Sequence, residues 1–169
     1  MNRLGKYVDI IEMACEYQEP GKKTIQKLFY LIERKGVDLD LNYRIHFFGP
    51  YSSKLDDALH LMESYDFINI NTHGKTHVIS VLNTEDIEYE GLNSDEREIA
   101  SFIIDTFKGK TPLELEAMTT LDYIANSIGE VNALKDGEII NEVMRIKGKK
   151  FTREELQKEI EILRKYEFI

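Results

Sequence analysis

Apolar residues recur at helical spacing along most of this chain, and the pattern gives way to strand-like stretches at 43–48 and at 67–82. Residues 4–18 place Leu4, Tyr7, Val8, Ile11 and Cys15 near a 3.6-residue period, and Pro20-Gly21 ends the segment. Residues 22–35 carry Ile25, Leu28, Phe29 and Ile32 at i, i+3, i+4 and i+7, with Gly36 as the C-terminal stop. Both stretches predict helices. Residues 43–48 are short and rich in aromatic and β-branched side chains, which predicts a strand. They run into Gly49-Pro50-Tyr51-Ser52-Ser53, where glycine frees the dihedrals, proline fixes its own φ and two serines offer capping hydroxyls. A strand-to-helix corner is therefore expected. Residues 53–65 continue as a third helix with Leu55, Leu59 and Met62 inward. Residues 67–72 and 76–82 flank His73-Gly74-Lys75 and predict a β-hairpin.

The polar stretch 83–91, with Glu85, Asp86, Glu88 and Glu90, marks a boundary. Beyond it the pattern is helical. Asn93 or Ser94 caps a segment reaching 108, Thr111-Pro112-Leu113-Glu114 is a capping box, and Gly129 ends the helix that follows. Asp136-Gly137 precedes a helix bearing Ile139, Ile140, Val143, Met144 and Ile146, and Thr152-Arg153-Glu154-Glu155 opens the last one. The fold class expected is mainly α with a small β-hairpin. Residues 1–84 form a winged-helix-like half, because helix, helix, short strand, helix, hairpin is the order of that helix-turn-helix variant. Residues 85–91 connect it to a helical half, 92–169. A shift of 101 residues lays Leu55, Leu59, Leu61, Met62, Tyr65, Asp66, Phe67 and Ile68 on Leu156, Ile160, Ile162, Leu163, Tyr166, Glu167, Phe168 and Ile169. Either any amphipathic helix entering a strand looks this way, or the second half is a truncated second winged helix.

Composition narrows the function classes. A 42% hydrophobic content over 169 residues suffices for a proper core, and a formal charge of −9 disfavours indiscriminate attraction to nucleic acid or anionic lipid. A single cysteine, no apolar run long enough to span a bilayer and no signal-peptide pattern lead to the expectation of a cytoplasmic protein without a membrane partner. Cys15, among Ile11, Met13 and Ala14, reads as a structural thiol.

The residues KKTIQKLFYLIERKG, then IHFFGPYSSKL, then Tyr65-Asp66-Phe67-Ile68 resemble the YwgA-like family of uncharacterised bacterial and archaeal proteins. Thr119-Thr120-Leu121-Asp122-Tyr123-Ile124, Lys150-Phe151-Thr152 and Glu155-Leu156 extend the likeness to nearly the whole chain. More distantly, Gln26-Lys27-Leu28-Phe29-Tyr30 followed by Gly49-Pro50 and a serine is similar to the Panacea domain of SocA-like antitoxins, with Ile25 where leucine is usual. The resemblance implies a regulatory or antitoxin role by direct binding and supplies no catalytic residues.

The histidines His46, His60, His73 and His77 have no cysteine partner and no helical metal spacing, so neither a metal nor another cofactor is expected. Asp56-Asp57 and Glu154-Glu155 are adjacent and point to different azimuths, and no phosphate loop, dinucleotide fingerprint or nucleophile elbow occurs. No catalytic residue is assigned and an enzyme is not expected. The one electrostatic anomaly is Arg145, Lys147, Lys149, Lys150 and Arg153, five cations without an intervening acid. They either complement a helix C-terminus or form a phosphate clamp, with Lys22, Lys23 and Lys27 as a smaller counterpart. Acids on both recognition-type helices oppose base readout. Tyr30, Tyr51 and Tyr65 either pack in the core or present area to a protein partner. The functional expectation is a non-catalytic regulatory or antitoxin-like module that binds a protein, with a DNA-binding transcriptional regulator as the rival and homodimerisation left open.

Overall fold

The computed structural model describes residues 3–85, 88–128 and 134–169. Among them the chain is mainly helical, with seven α-helices and two small two-stranded sheets. It divides into two compact units, Met1–Arg44 with Tyr51–Gly109, and Ile45–Pro50 with Lys110–Ile169. Among the described residues no helix is long and apolar enough to cross a membrane.

The first unit holds α1 (Leu4–Cys15), α2 (Lys22–Arg34), α3 (Ser53–Ser64), β3 (Ile68–His73), β4 (Thr76–Val81) and α4 (Ser94–Phe107). The apolar stripes read from the sequence face inward: Ile25, Leu28, Phe29 and Ile32 of α2, and Leu55, Leu59 and Met62 of α3, are buried. α2 ends as its spacing predicts, with Gly36 at φ 105° and the Val37 N–H donating to the Ile32 carbonyl at 3.4 Å. β3 and β4 pair antiparallel from Ile68 opposite Val81 to His73 opposite Thr76. This leaves Gly74-Lys75 as a two-residue turn in which Gly74 has φ 62°. α1 packs on β4 and α4, and α2 on β4 and α4.

Two expectations are corrected. Residues 43–48 do not form one strand before a corner. β1 (Arg44–His46) turns at Phe47-Phe48 into β2 (Gly49–Tyr51), with Gly49 at φ 86°. Two aromatics with strand propensity occupy the tip because the following glycine supplies the left-handed dihedral that the turn needs. Secondly, the boundary expected at 85–91 falls elsewhere by packing, since α4 belongs with the first unit and Ile45–Pro50 with the second.

The second unit joins α5 (Pro112–Ile128), α6 (Asp136–Lys147) and α7 (Arg153–Lys165), which pack on one another. The predicted caps are present. The Thr111 N–H donates to Glu114 Oε2 at 2.8 Å and the Glu114 N–H to Thr111 Oγ1 at 3.2 Å; Thr152 and Glu155 make the same pair of bonds at 2.8 and 3.2 Å. Asn93, not Ser94, caps α4. Asp136-Gly137, expected before α6, is its first turn, and the stop at Gly129 lies outside the described residues. α5 is buried on every side from Leu115 to Asp122, polar Glu116, Thr119, Thr120 and Asp122 included.

Candidate macromolecule-binding surfaces

Gln26 organises the start of α3. Its Nε2 donates to the Ser52 carbonyl and its Oε1 accepts from the Ser52 N–H, both at 2.9 Å, so the side-chain amide pairs with a peptide as a neighbouring strand would. The Ser52 hydroxyl donates to the Leu41 carbonyl at 2.6 Å while accepting the Leu55 N–H at 3.1 Å. The cap and the docking of α3 therefore share one buried oxygen. Tyr43 donates to the Gln26 carbonyl at 3.0 Å, and burial drives its phenol well above the ordinary value.

The basic stretch is mostly engaged inside the second unit. Glu116, 4% exposed, accepts from Lys147 at 3.0 Å and from Lys150 at 2.7 and 2.9 Å. Lys147 also donates to the Phe47 carbonyl at 2.6 Å and the His46 carbonyl at 3.3 Å. The Lys150 ammonium lies 5.1, 5.0 and 5.9 Å from the ring centres of Phe47, Phe48 and Phe151, which is cation–π range. Phe47 itself is 72% exposed. Arg145 clasps Glu142, whose carboxyl that hydrogen bond holds below its usual range, and Arg153 donates to Asn141. Lys149 is exposed. Lys22 pairs with Asp56 at 2.5 Å, and Lys23 is exposed at the start of α2. The five cations of the second unit thus do not act together: Lys147 and Lys150 ligate a buried carboxylate, Arg145 is taken up by Glu142, and Lys149 and Arg153 face water near the start of α7.

The three tyrosines separate as well. Tyr30 is corrected out of the partner-facing set, because it is 4% exposed and packs edge-on against Tyr43 with ring centres 5.1 Å apart. Tyr51 is half-buried. Burial, then its hydrogen bond to Asp56, pushes its phenol up to about 12. Burial opposes the shift at Asp56, but the hydrogen bonds and charge from Lys22 and Tyr51 outweigh it and hold that carboxyl below its usual value. Tyr65 alone is openly presented, 50% exposed, its ring 5.7 Å from that of Phe67.

Tyr65 has apolar neighbours that periodicity did not single out. Leu61, one turn earlier on α3, is 43% exposed, and Leu82 is 57% exposed. The Leu82 N–H donates to the Phe67 carbonyl at 2.9 Å. One pair beyond Ile68 and Val81, Phe67 and Leu82 sit opposite each other on the same face of the ribbon. Leu61, Tyr65, Phe67 and Leu82 therefore form a continuous apolar strip along the end of α3 and the base of the hairpin. The signal in the sequence was Leu61 itself, an apolar residue off the inward stripe of Leu55, Leu59 and Met62.

Among the described residues no group of three or more histidine, cysteine or acidic side chains is placed to hold a metal. His73 and His77 are exposed at the hairpin turn, with His77 Nδ1 3.3 Å from the Thr72 hydroxyl. Burial raises the Cys15 thiol to about 11, and it faces the Ile79 carbonyl at 3.7 Å, which suits a packed thiol and not a nucleophile. An open cleft of about 360 Å³ in the second unit is lined by Leu113, Ala117 and Phe151 together with Glu114, Glu155 and Lys158. No protein-family model and no curated protein matches this chain.

Proposed function

We propose that this protein is a cytoplasmic, non-catalytic regulatory module of winged-helix type that acts by binding a protein partner through α3 and the base of the β3–β4 hairpin. The order α1, α2, a short strand pair, α3 and a hairpin supports the winged-helix reading. The resemblance to the YwgA-like and Panacea families supports a regulatory or antitoxin-like role. The observation that carries the proposal is the surface of α3, the helix that a DNA-binding winged helix would insert into a groove. It displays Leu61 and Tyr65 and the carboxylate of Asp57, and an acidic, apolar face repels phosphates while suiting a protein.

The rival reading, a DNA-binding regulator, draws on Lys149 and Arg153, both exposed near the N-terminus of α7. Anisotropy with labelled duplex DNA across salt separates the two. The expected result is no saturable binding at about 50 mM salt. Binding that falls steeply with salt and disappears in Lys149→Ala/Arg153→Ala would establish the rival. For the leading reading, a protein captured by the wild type should be lost with Leu61→Ser/Tyr65→Ser, and the same protein, once purified, should rebind the wild type alone.

A further inference from the structure

The α3 strip has a charge signature as well as an apolar one, and that signature limits what can cover it. Asp57 lies one turn before Leu61 and is exposed; Asp66 follows Tyr65 directly and is exposed. Glu85, three residues past Leu82, is exposed too. The cation of this helix is already committed: Lys54 donates to Asp40 Oδ2 at 3.0 Å and to the Asp40 carbonyl at 3.1 Å. His60 sits 3.9 Å from both Asp56 and Glu63. The apolar residues Leu61, Tyr65, Phe67 and Leu82 therefore have the exposed carboxylates of Asp57, Asp66 and Glu85 as chain neighbours.

Each possible occupant meets those carboxylates differently. A second copy docking face to face across a two-fold axis would set the acids at the ends of one strip, Asp57 and Asp66, against the acids at the ends of the other, between chains that each carry −9. Like charges brought together in this way penalise the wrong partner by several kcal/mol. A basic segment gains at the same positions, because its cations meet Asp57 and Asp66 while its apolar side chains cover the strip. The strip runs along one edge of α3 and on to one end of the ribbon, which suits a rod-like occupant.

Resting on the protein-binding reading above, we infer that the α3 strip is a docking surface for a basic amphipathic helix of a partner protein. Leucine-like side chains of that helix lie over Leu61, Tyr65 and Leu82. Lysines or arginines on its flanks pair with Asp57 at one end and Asp66 at the other.

The test uses the full chain, isotopically labelled with ¹⁵N, and two synthetic amphipathic helices of about 18 residues, one of leucine and lysine and one of leucine and glutamate. Amide shifts on titration should cluster at Leu61, Tyr65, Asp66 and Leu82 with the leucine–lysine helix. The leucine–glutamate helix should leave them in place. Asp57→Lys/Asp66→Asn should weaken the leucine–lysine helix at least about tenfold, and Leu61→Ser should do the same through a different term. Both substitutions lie on the exposed face, and asparagine tolerates the left-handed dihedral at position 66, so these variants fold. Shifts that map elsewhere, equal response to both helices, no response to either, or concentration-dependent shifts of the same residues in the chain alone would overturn the inference. None of those results requires duplex DNA to bind, so failure here is distinguishable from failure of the protein-binding reading, which the DNA titration decides.

Discussion

A carboxylate removed from water persists only where cations and donors replace its hydration, and Glu116 has two ammonium groups within 3.0 Å. Deleting it would strand both. Lys147, whose side chain is 5% exposed, would keep the His46 and Phe47 carbonyls but lose its counter-charge. Glu116→Ala is expected to destabilise by about 3 to 5 kcal/mol, the usual result of removing one partner of a buried pair. Lys150→Ala should be milder, about 1 to 2 kcal/mol, since its side chain is partly exposed and the Glu116–Lys147 pair survives. Urea unfolding midpoints check the order; equal losses would mean that the Glu116–Lys150 pair carries the whole contribution and that Lys147 adds little to it. None of this was legible in the sequence. The five cations were visible, but the acid that two of them share, Glu116, lies 31 residues before Lys147 and 34 before Lys150, on a separate helix. Gln26 was hidden in the same way, because an amide that clasps a peptide twenty-six residues away leaves no local spacing.

At the scale of elements, the 101-residue echo has a physical counterpart. α3 ends with the Phe67 N–H donating to the Met62 carbonyl at 3.0 Å and the Asp66 N–H to the Glu63 carbonyl at 3.1 Å, with Asp66 at φ 58°. α7 ends with Phe168 to Leu163 at 2.9 Å and Glu167 to Arg164 at 3.1 Å, with Glu167 at φ 56°. Both are Schellman closures. α2 makes the same closure with Gly36, the residue that the left-handed dihedral favours. Asp66→Gly should therefore stabilise by about 0.5 to 1 kcal/mol, the relief of the left-handed penalty less the entropy that glycine adds to the unfolded chain. A lowered thermal midpoint would show that the Asp66 carboxylate contributes something the dihedral does not. Periodicity placed these helices well: α2 and α3 lie within a residue of their expected ends, because apolar stripe, cap and stop agreed. The strand at 43–48 failed because strand propensity says nothing about where the chain reverses. The boundary failed because α4 has an apolar face whose partner, α1 or α5, spacing cannot name.

For the whole molecule, the ionisable groups define a pH window of stability. Asp40, Asp56, Asp105, Glu114 and Glu142 all titrate below their ordinary values of 3.8 for Asp and 4.5 for Glu. A depressed carboxyl lends stability that is present above its unfolded value and lost as pH falls through its folded one, so these five weaken the fold progressively below about 4.5. Glu33 acts in the other sense. Burial raises its carboxyl, so its contribution is full below the unfolded value and is lost as pH rises through the folded one. One such group softens the acid limb against five without reversing it. On the alkaline side burial raises Cys15 from 9.0 to about 11, and Tyr7 and Tyr51 from 10.0 to about 12. Each of these acids is neutral when folded, and its contribution is intact below the unfolded value and lost as pH climbs to the folded one. Urea midpoints should accordingly be level between about pH 5 and 9, fall below about 4.5, and fall again above about 9 to 10. Tyr51→Phe removes one of the alkaline contributors and should shorten that limb, while trimming the acid limb only by the share of the Asp56 shift that the Tyr51 hydroxyl supplies, since Lys22 still holds that carboxyl down and the other four carboxylates are untouched. If the midpoint instead stays level to about pH 11, the buried hydroxyls and the thiol are ionising as freely in the folded chain as in the unfolded one, and the packing around Tyr7 and Tyr51 is looser than their burial indicates.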